Sequence, residues 1–78
     1  MDLHFGQARY ITRTVEDHKE GYAGLELHRT ASGETSRVAR ILFWDASGQF
    51  FIETFNNELP LAVIEGLIAE AKAAIRIE

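Results

Sequence analysis

Residues 45–68 read DASGQFFIETFNNELPLAVIEGLI, and the hydrophobic period changes within them at Asn56-Asn57. Upstream, Gln49 to Phe55 is a short run of aromatic and β-branched residues, the composition of a strand. It follows Asp45-Ala46-Ser47-Gly48. Aspartate suits the first position of a type I turn, and Gly48 suits the left-handed residue of a bulged hairpin. Downstream, Leu61, Ile64, Ile68, Ala71 and Ile75 recur at three- and four-residue spacing, the period of a helix. Asn57 is the expected N-cap, and Pro60 then falls in the first turn, where its missing amide hydrogen costs nothing. The sheet ends and the helix begins at these two asparagines.

Working back from the Asp45–Gly48 turn, residues 36–44, 22–30 and 8–16 read as three more strands, rich in β-branched and aromatic side chains. Turns at 31–35 and 17–21, each with a glycine, separate them. Connections this short leave no room for crossover helices, so sequential strands pair antiparallel. The expected fold is α+β, in one domain spanning 1–78: a lead-in at 1–7, a four-stranded antiparallel meander at 8–56, and a C-terminal helix at 57–78 packed on one face. Val63, Leu67, Ala74 and Ile77 widen the helix's apolar stripe, leaving Glu65, Ala69, Lys72 and Arg76 to solvent. Gly66 in mid-helix costs about 1 kcal/mol relative to alanine. It marks either a tolerated surface position or the close approach of a strand or a partner helix.

A chain of 78 residues buries a small core. It has no cysteine, so neither a disulfide nor a thiolate-bound metal can reinforce that core. A second copy of the chain is the remaining reinforcement, and a homodimer is expected. One helix covers one face of the sheet, yet strands 36–44 and 49–55 are apolar on both. Trp44, Leu42, Phe51 and Phe55 on the sheet, with Leu67 and Ala74 on the helix, are the expected interface. Absence of cysteine fits a reducing cytoplasm. Met1-Asp2-Leu3-His4-Phe5 resembles neither a basic leader nor a signal segment, and no apolar run approaches the roughly 20 residues that span a bilayer. With 12 acidic and 8 basic residues the net charge is −4, which opposes non-specific attraction to nucleic acid or anionic lipid.

No catalytic or metal motif emerges. His4, His18 and His28 lack ligand spacing, so neither a metal nor a cofactor is expected. Glu26 and His28 alternate on one strand and share a face. Glu53, set between Phe51 and Phe55, needs a basic partner, and Arg40 on the neighbouring strand is the expected one. Ser32, Ser36 and Ser47 lie in or beside turns, where hydroxyls serve local backbone bonds.

Arginine is unusually concentrated in the sheet region, at Arg9, Arg13, Arg29, Arg37 and Arg40. Arginine grips phosphates bidentately and stacks on bases, and Tyr10, Tyr22, Trp44 and Phe51 offer aromatic platforms. In strand order alone, four strands then a helix resembles the curved-sheet single-strand-binding domains of transcriptional coactivators and the PUR type. That resemblance implies single-stranded nucleic acid as a ligand. The competing reading pairs these arginines with Glu16, Glu26 and Glu53 across strands. It leaves a small non-enzymatic interaction or regulatory protein, partnered by its own copy and by other protein.

Overall fold

The computed structural model describes residues 1–75. Its elements are β1 (Asp2–Phe5), β2 (Ala8–Asp17), β3 (Tyr22–Ala31), β4 (Glu34–Trp44), β5 (Gln49–Thr54) and α1 (Leu61–Ala74). The five strands form one antiparallel meander in sequence order. The fold is therefore α+β as expected, with five strands rather than four. The segment expected to be a lead-in supplies the extra one. Asp2, Leu3, His4 and Phe5 pair with Ile11, Tyr10, Arg9 and Ala8. Gly6 turns the chain between them at φ +63°, a left-handed conformation open to glycine.

Register divides the sheet into two faces. Thr12, Leu27, Ala39 and Thr54 lie in one cross-strand row, and Thr14, Leu25, Ile41 and Ile52 in the next. This is the face that α1 covers. Leu25, Leu27, Ala39 and Ile41 on the sheet meet Val63, Leu67 and Ala71 on the helix, all between 0% and 4% exposed. Val38 joins this core, although strict alternation assigns it to the opposite face. A β-bulge lies between its neighbours, since Leu27 pairs with Ala39 while the adjacent His28 pairs with Arg37. The extra residue is Val38, and it is fully buried.

The helix differs from expectation in start and orientation. It begins at Leu61 behind an N-cap at Pro60, without a side-chain cap. Asn57 instead accepts from Arg29 Nη2 at 3.2 Å and donates to the Phe55 carbonyl. Asn56 adopts φ +53°, which ends β5. Val63, Leu67 and Ala71, four residues apart, form the buried line, so the stripe is rotated from the expected one and Leu61 is 73% exposed. The physical reason is where the helix lies: it runs along β3 and β4, so this line faces the middle of the sheet, while Ile68 is only partly buried at the side of the contact. Ala69, Glu65 and Lys72 face solvent as expected, while Arg76 and Ile77 lie outside the described residues.

Two close approaches explain two glycines. A Cβ on Gly24 would lie 2.0 Å from the Ile41 carbonyl oxygen, so the β3–β4 contact requires glycine there. A Cβ on Gly66 would lie 3.1 Å from the Met1 methyl. Within the chain, the neighbour at Gly66 is thus the Met1 side chain rather than a sheet strand's backbone. Met1 is also tied polarly: its ammonium donates to Thr12 Oγ1 at 2.7 Å and pairs with Glu70 at 2.6 Å. Thr12 in turn donates to Glu70 Oε2 at 2.7 Å. Partial burial pushes the Glu70 carboxyl up, but the hydrogen bonds from the ammonium and Thr12, with the ammonium's charge, outweigh it and hold the group below its ordinary value.

Candidate interaction surface

The face turned away from α1 is built from four adjacent cross-strand rows. Asp17, Tyr22, Trp44 and Gln49 form the first, and Val15, Gly24, Leu42 and Phe51 the second. Arg13, Glu26, Arg40 and Glu53 form the third, and Ile11, His28 and Arg37 the fourth. One end of this face is thus apolar and aromatic, and the middle alternates in charge.

At the apolar end the Tyr22 and Trp44 rings pack with centroids 4.9 Å apart, and both side chains are half-buried. Leu42 is 4% exposed although no helix covers it. The bare Gly24 backbone lets the second row lie close, and the larger neighbours close over it. Phe51 at the sheet edge is 55% exposed. Between Trp44 and Phe51 lies an open apolar cleft of 320 Å³, bordered by Ala46 and Ser47 of the turn. The turn itself is as expected: Gly48 sits at φ +64° and its amide donates to the Trp44 carbonyl at 2.8 Å.

In the charged rows two of the three arginines, Arg37 and Arg40, are engaged with carboxylates. Arg37 Nη1 donates to Glu26 Oε2 at 2.9 Å, and His28 Nε2 lies 3.2 Å from Glu26 Oε1. Arg40 Nε donates to Glu53 Oε1 at 2.7 Å. Arg9 grips Asp2 through both Nε and Nη2, at 2.9 and 2.6 Å. The Arg37 guanidinium also lies 4.5 Å over the Phe55 ring, half-burying it. Arg13 is exposed and makes no ion pair among the described residues.

Burial pushes the Glu26 carboxyl up, yet the hydrogen bonds from Arg37 and His28 and their charges more than offset it, leaving the group below its ordinary value. Asp2 is lowered first by its hydrogen bond from Arg9. A carboxylate held ionised by two donors is a poor proton acceptor near neutrality, since its basicity is already committed. Among the described residues, no group of three or more histidine or acidic side chains is placed to hold a metal ion.

The structure separates the residues that sequence reasoning grouped. Tyr10, offered as a stacking platform, lies under the helix at 4% exposure. Arg29 is on that same side, bound to Asn57. Leu67, offered as an interface residue, is fully buried in the protomer's own core, while Ala74 is exposed on the helix. Trp44, Leu42 and Phe51 do come together. Ile52, which with Phe50 is the alternative apolar pair of this strand in need of cover, is 47% exposed on the helix-covered face. Its signal was available: β5 reads Phe50-Phe51-Ile52, apolar on both faces, in the last strand of the meander.

No family model, curated protein or solved structure matches this chain. Among the described residues no helix is long and apolar enough to cross a membrane.

Proposed function

We propose that this chain is a small non-enzymatic interaction protein that works as a homodimer, with the apolar end of the sheet as its contact surface. The observation that carries this reading is the pair Phe51 and Ile52. These neighbours project from opposite faces of β5, 55% and 47% exposed. Large apolar side chains left on both faces of one strand, in a 78-residue chain, are the mark of a surface that another molecule covers. A further protein partner on the Tyr22–Trp44 end of the same face extends the reading to a regulatory role, and the cysteine-free composition suits work in the cytoplasm.

The mass in solution tests it. Gel filtration with light scattering at low micromolar concentration is expected to give twice the 8.8 kDa chain mass. A protomer mass with a cooperative melt would overturn the reading.

Single-stranded nucleic acid is the weaker reading, favoured only by exposed Arg13 beside the aromatic end. Arg9, Arg37 and Arg40 are occupied by Asp2, Glu26 and Glu53, and releasing them for phosphate would break those pairs. Titration of labelled oligothymidine and mixed RNA at two salt concentrations separates the two. Micromolar binding that weakens steeply with salt would promote the nucleic-acid reading.

A further inference from the structure

We infer that β5 pairs antiparallel with β5 of a second copy of this chain, centred on Phe51, so that two five-stranded sheets join into one. The inference rests on the homodimer reading above and names its interface.

The backbone of β5 is ready for such pairing. Phe55 N donates to the Val38 carbonyl at 3.1 Å, in the same register that pairs Trp44 with Gln49 and Leu42 with Phe51. Antiparallel alternation then turns the amide and carbonyl of every second residue toward β4. Those of Phe50, Ile52 and Thr54 point away from the sheet. β5 holds no lysine, proline or bulge, and its single charge, Glu53, is paired with Arg40 of the neighbouring strand. The opposite edge is built differently. β1 is four residues long, and its face away from the helix carries Asp2 and His4, with Asp2 bound to Arg9. Short length and charge are the usual protection of an edge strand.

Side chains choose the occupant and the register. A twofold axis normal to the sheet keeps each face continuous, so directly opposed residues come from the same face. Centring on Phe51 sets Phe51 against the partner's Phe51 on one face and Phe50 against the partner's Ile52 on the other. Gln49 then meets the partner's Glu53, a neutral donor against a carboxylate. Centring on Ile52 would press Phe51 onto a carboxylate, and centring on Glu53 would oppose two like charges. Space exists on both sides. The helix-side cleft along β5, 180 Å³ between Ile68, Lys72 and Ile52, receives the partner's apolar side chains there, and the Trp44–Phe51 cleft receives them on the other face.

Cysteine scanning tests the register directly, because the chain has no cysteine of its own. Residue 51 would be a non-hydrogen-bonded cross-strand pair, with Cα atoms about 4.5 Å apart, within reach of a disulfide. Phe51→Cys is therefore expected to cross-link to a covalent dimer under mild oxidation, and Ile52→Cys is not. Ile52→Lys is expected to shift the protein to protomer mass while far-ultraviolet circular dichroism is retained. Cross-linking at Ile52→Cys instead would overturn the register. A wild-type dimer that neither cross-links through Phe51→Cys nor dissociates with Ile52→Lys would refute the β5 interface and leave the homodimer reading standing on another surface. A wild-type protein that stays a protomer at all concentrations would end both.

Discussion

The two faces of the sheet are made by the same strands and stabilised differently. On the helix side, side chains from β3 and β4 meet one line of helix residues and are sealed from water. On the other side no element among the described residues lies over the sheet, and cross-strand neighbours shield one another. Leu42 is buried there by its own row, while Glu26 and Glu53 are neutralised by Arg37 and Arg40. The comparison teaches that one helix of 14 residues seals the middle of a five-stranded sheet and leaves its last strand open on both sides.

Removing core volume should have the largest effect. Leu67→Ala takes a fully buried side chain from the centre of the helix-side core and is expected to lower unfolding free energy by about 3 kcal/mol. Urea denaturation measures this. A loss below about 1 kcal/mol would show that the helix contributes little to the core.

Gly24→Ala comes next. The added methyl meets a backbone oxygen at 2.0 Å, and no side chain can move aside to relieve it. Strands β3 and β4 must separate locally, at a cost of about 2 kcal/mol. Amide exchange should accelerate at Leu25 and Leu42 before it does in β2. A variant as stable as the parent would mean the strands accommodate the methyl freely.

Trp44→Ala distinguishes a wet open face from one sealed by a partner. In a half-buried setting the ring's removal should cost about 1–2 kcal/mol, less than Leu67→Ala. A cost of about 3–5 kcal/mol would place Trp44 inside an interface rather than beside it.

The smallest effect is electrostatic and has a defined sign. Glu26 on one face and Glu70 on the other both have folded-state values depressed below the ordinary 4.5. Each therefore contributes stability that is present above that value and lost as pH falls through the lower, folded one. Glu26→Gln and Glu70→Gln should each cost about 1 kcal/mol or less at pH 7, since both sites retain solvent contact. Both variants should also lose less stability on acidification than the parent does. A parallel pair of stability curves down to pH 3 would show that the carboxylate in question makes no such contribution.

Sequence reasoning went furthest where structure depends on adjacent residues. The Asp45–Gly48 turn, the pairing of β2 through β5 and the existence of the helix were all legible. So was the Arg40–Glu53 neighbourhood, because a hairpin of known turn length sets which residues oppose each other. The first strand was missed although Leu3 and Phe5 alternate with Asp2 and His4. Four residues carry too little period to distinguish a strand from a tail, and Gly6 was the available sign. The helix stripe was misread because several lines of apolar residues run along α1, and only the sheet selects Val63, Leu67 and Ala71.

What the amino-acid order determined by itself is the local geometry: a glycine at a positive-φ position of each strand-to-strand turn, period two before Asn56 and period near 3.6 after Pro60. Steric limits on each residue act within a few bonds, so they need no other part of the chain. Only the tertiary structure decided which face the helix covers, that Tyr10 lies beneath it, and that a bulge swings Val38 into the core. It also decided that Arg37 reaches Glu26 rather than solvent, and that Met1 meets Glu70. These outcomes depend on residues as many as 69 positions apart, where burial and charge pairing compete across the whole sheet. The same competition left Phe51 and Ile52 exposed on the last strand of the sheet.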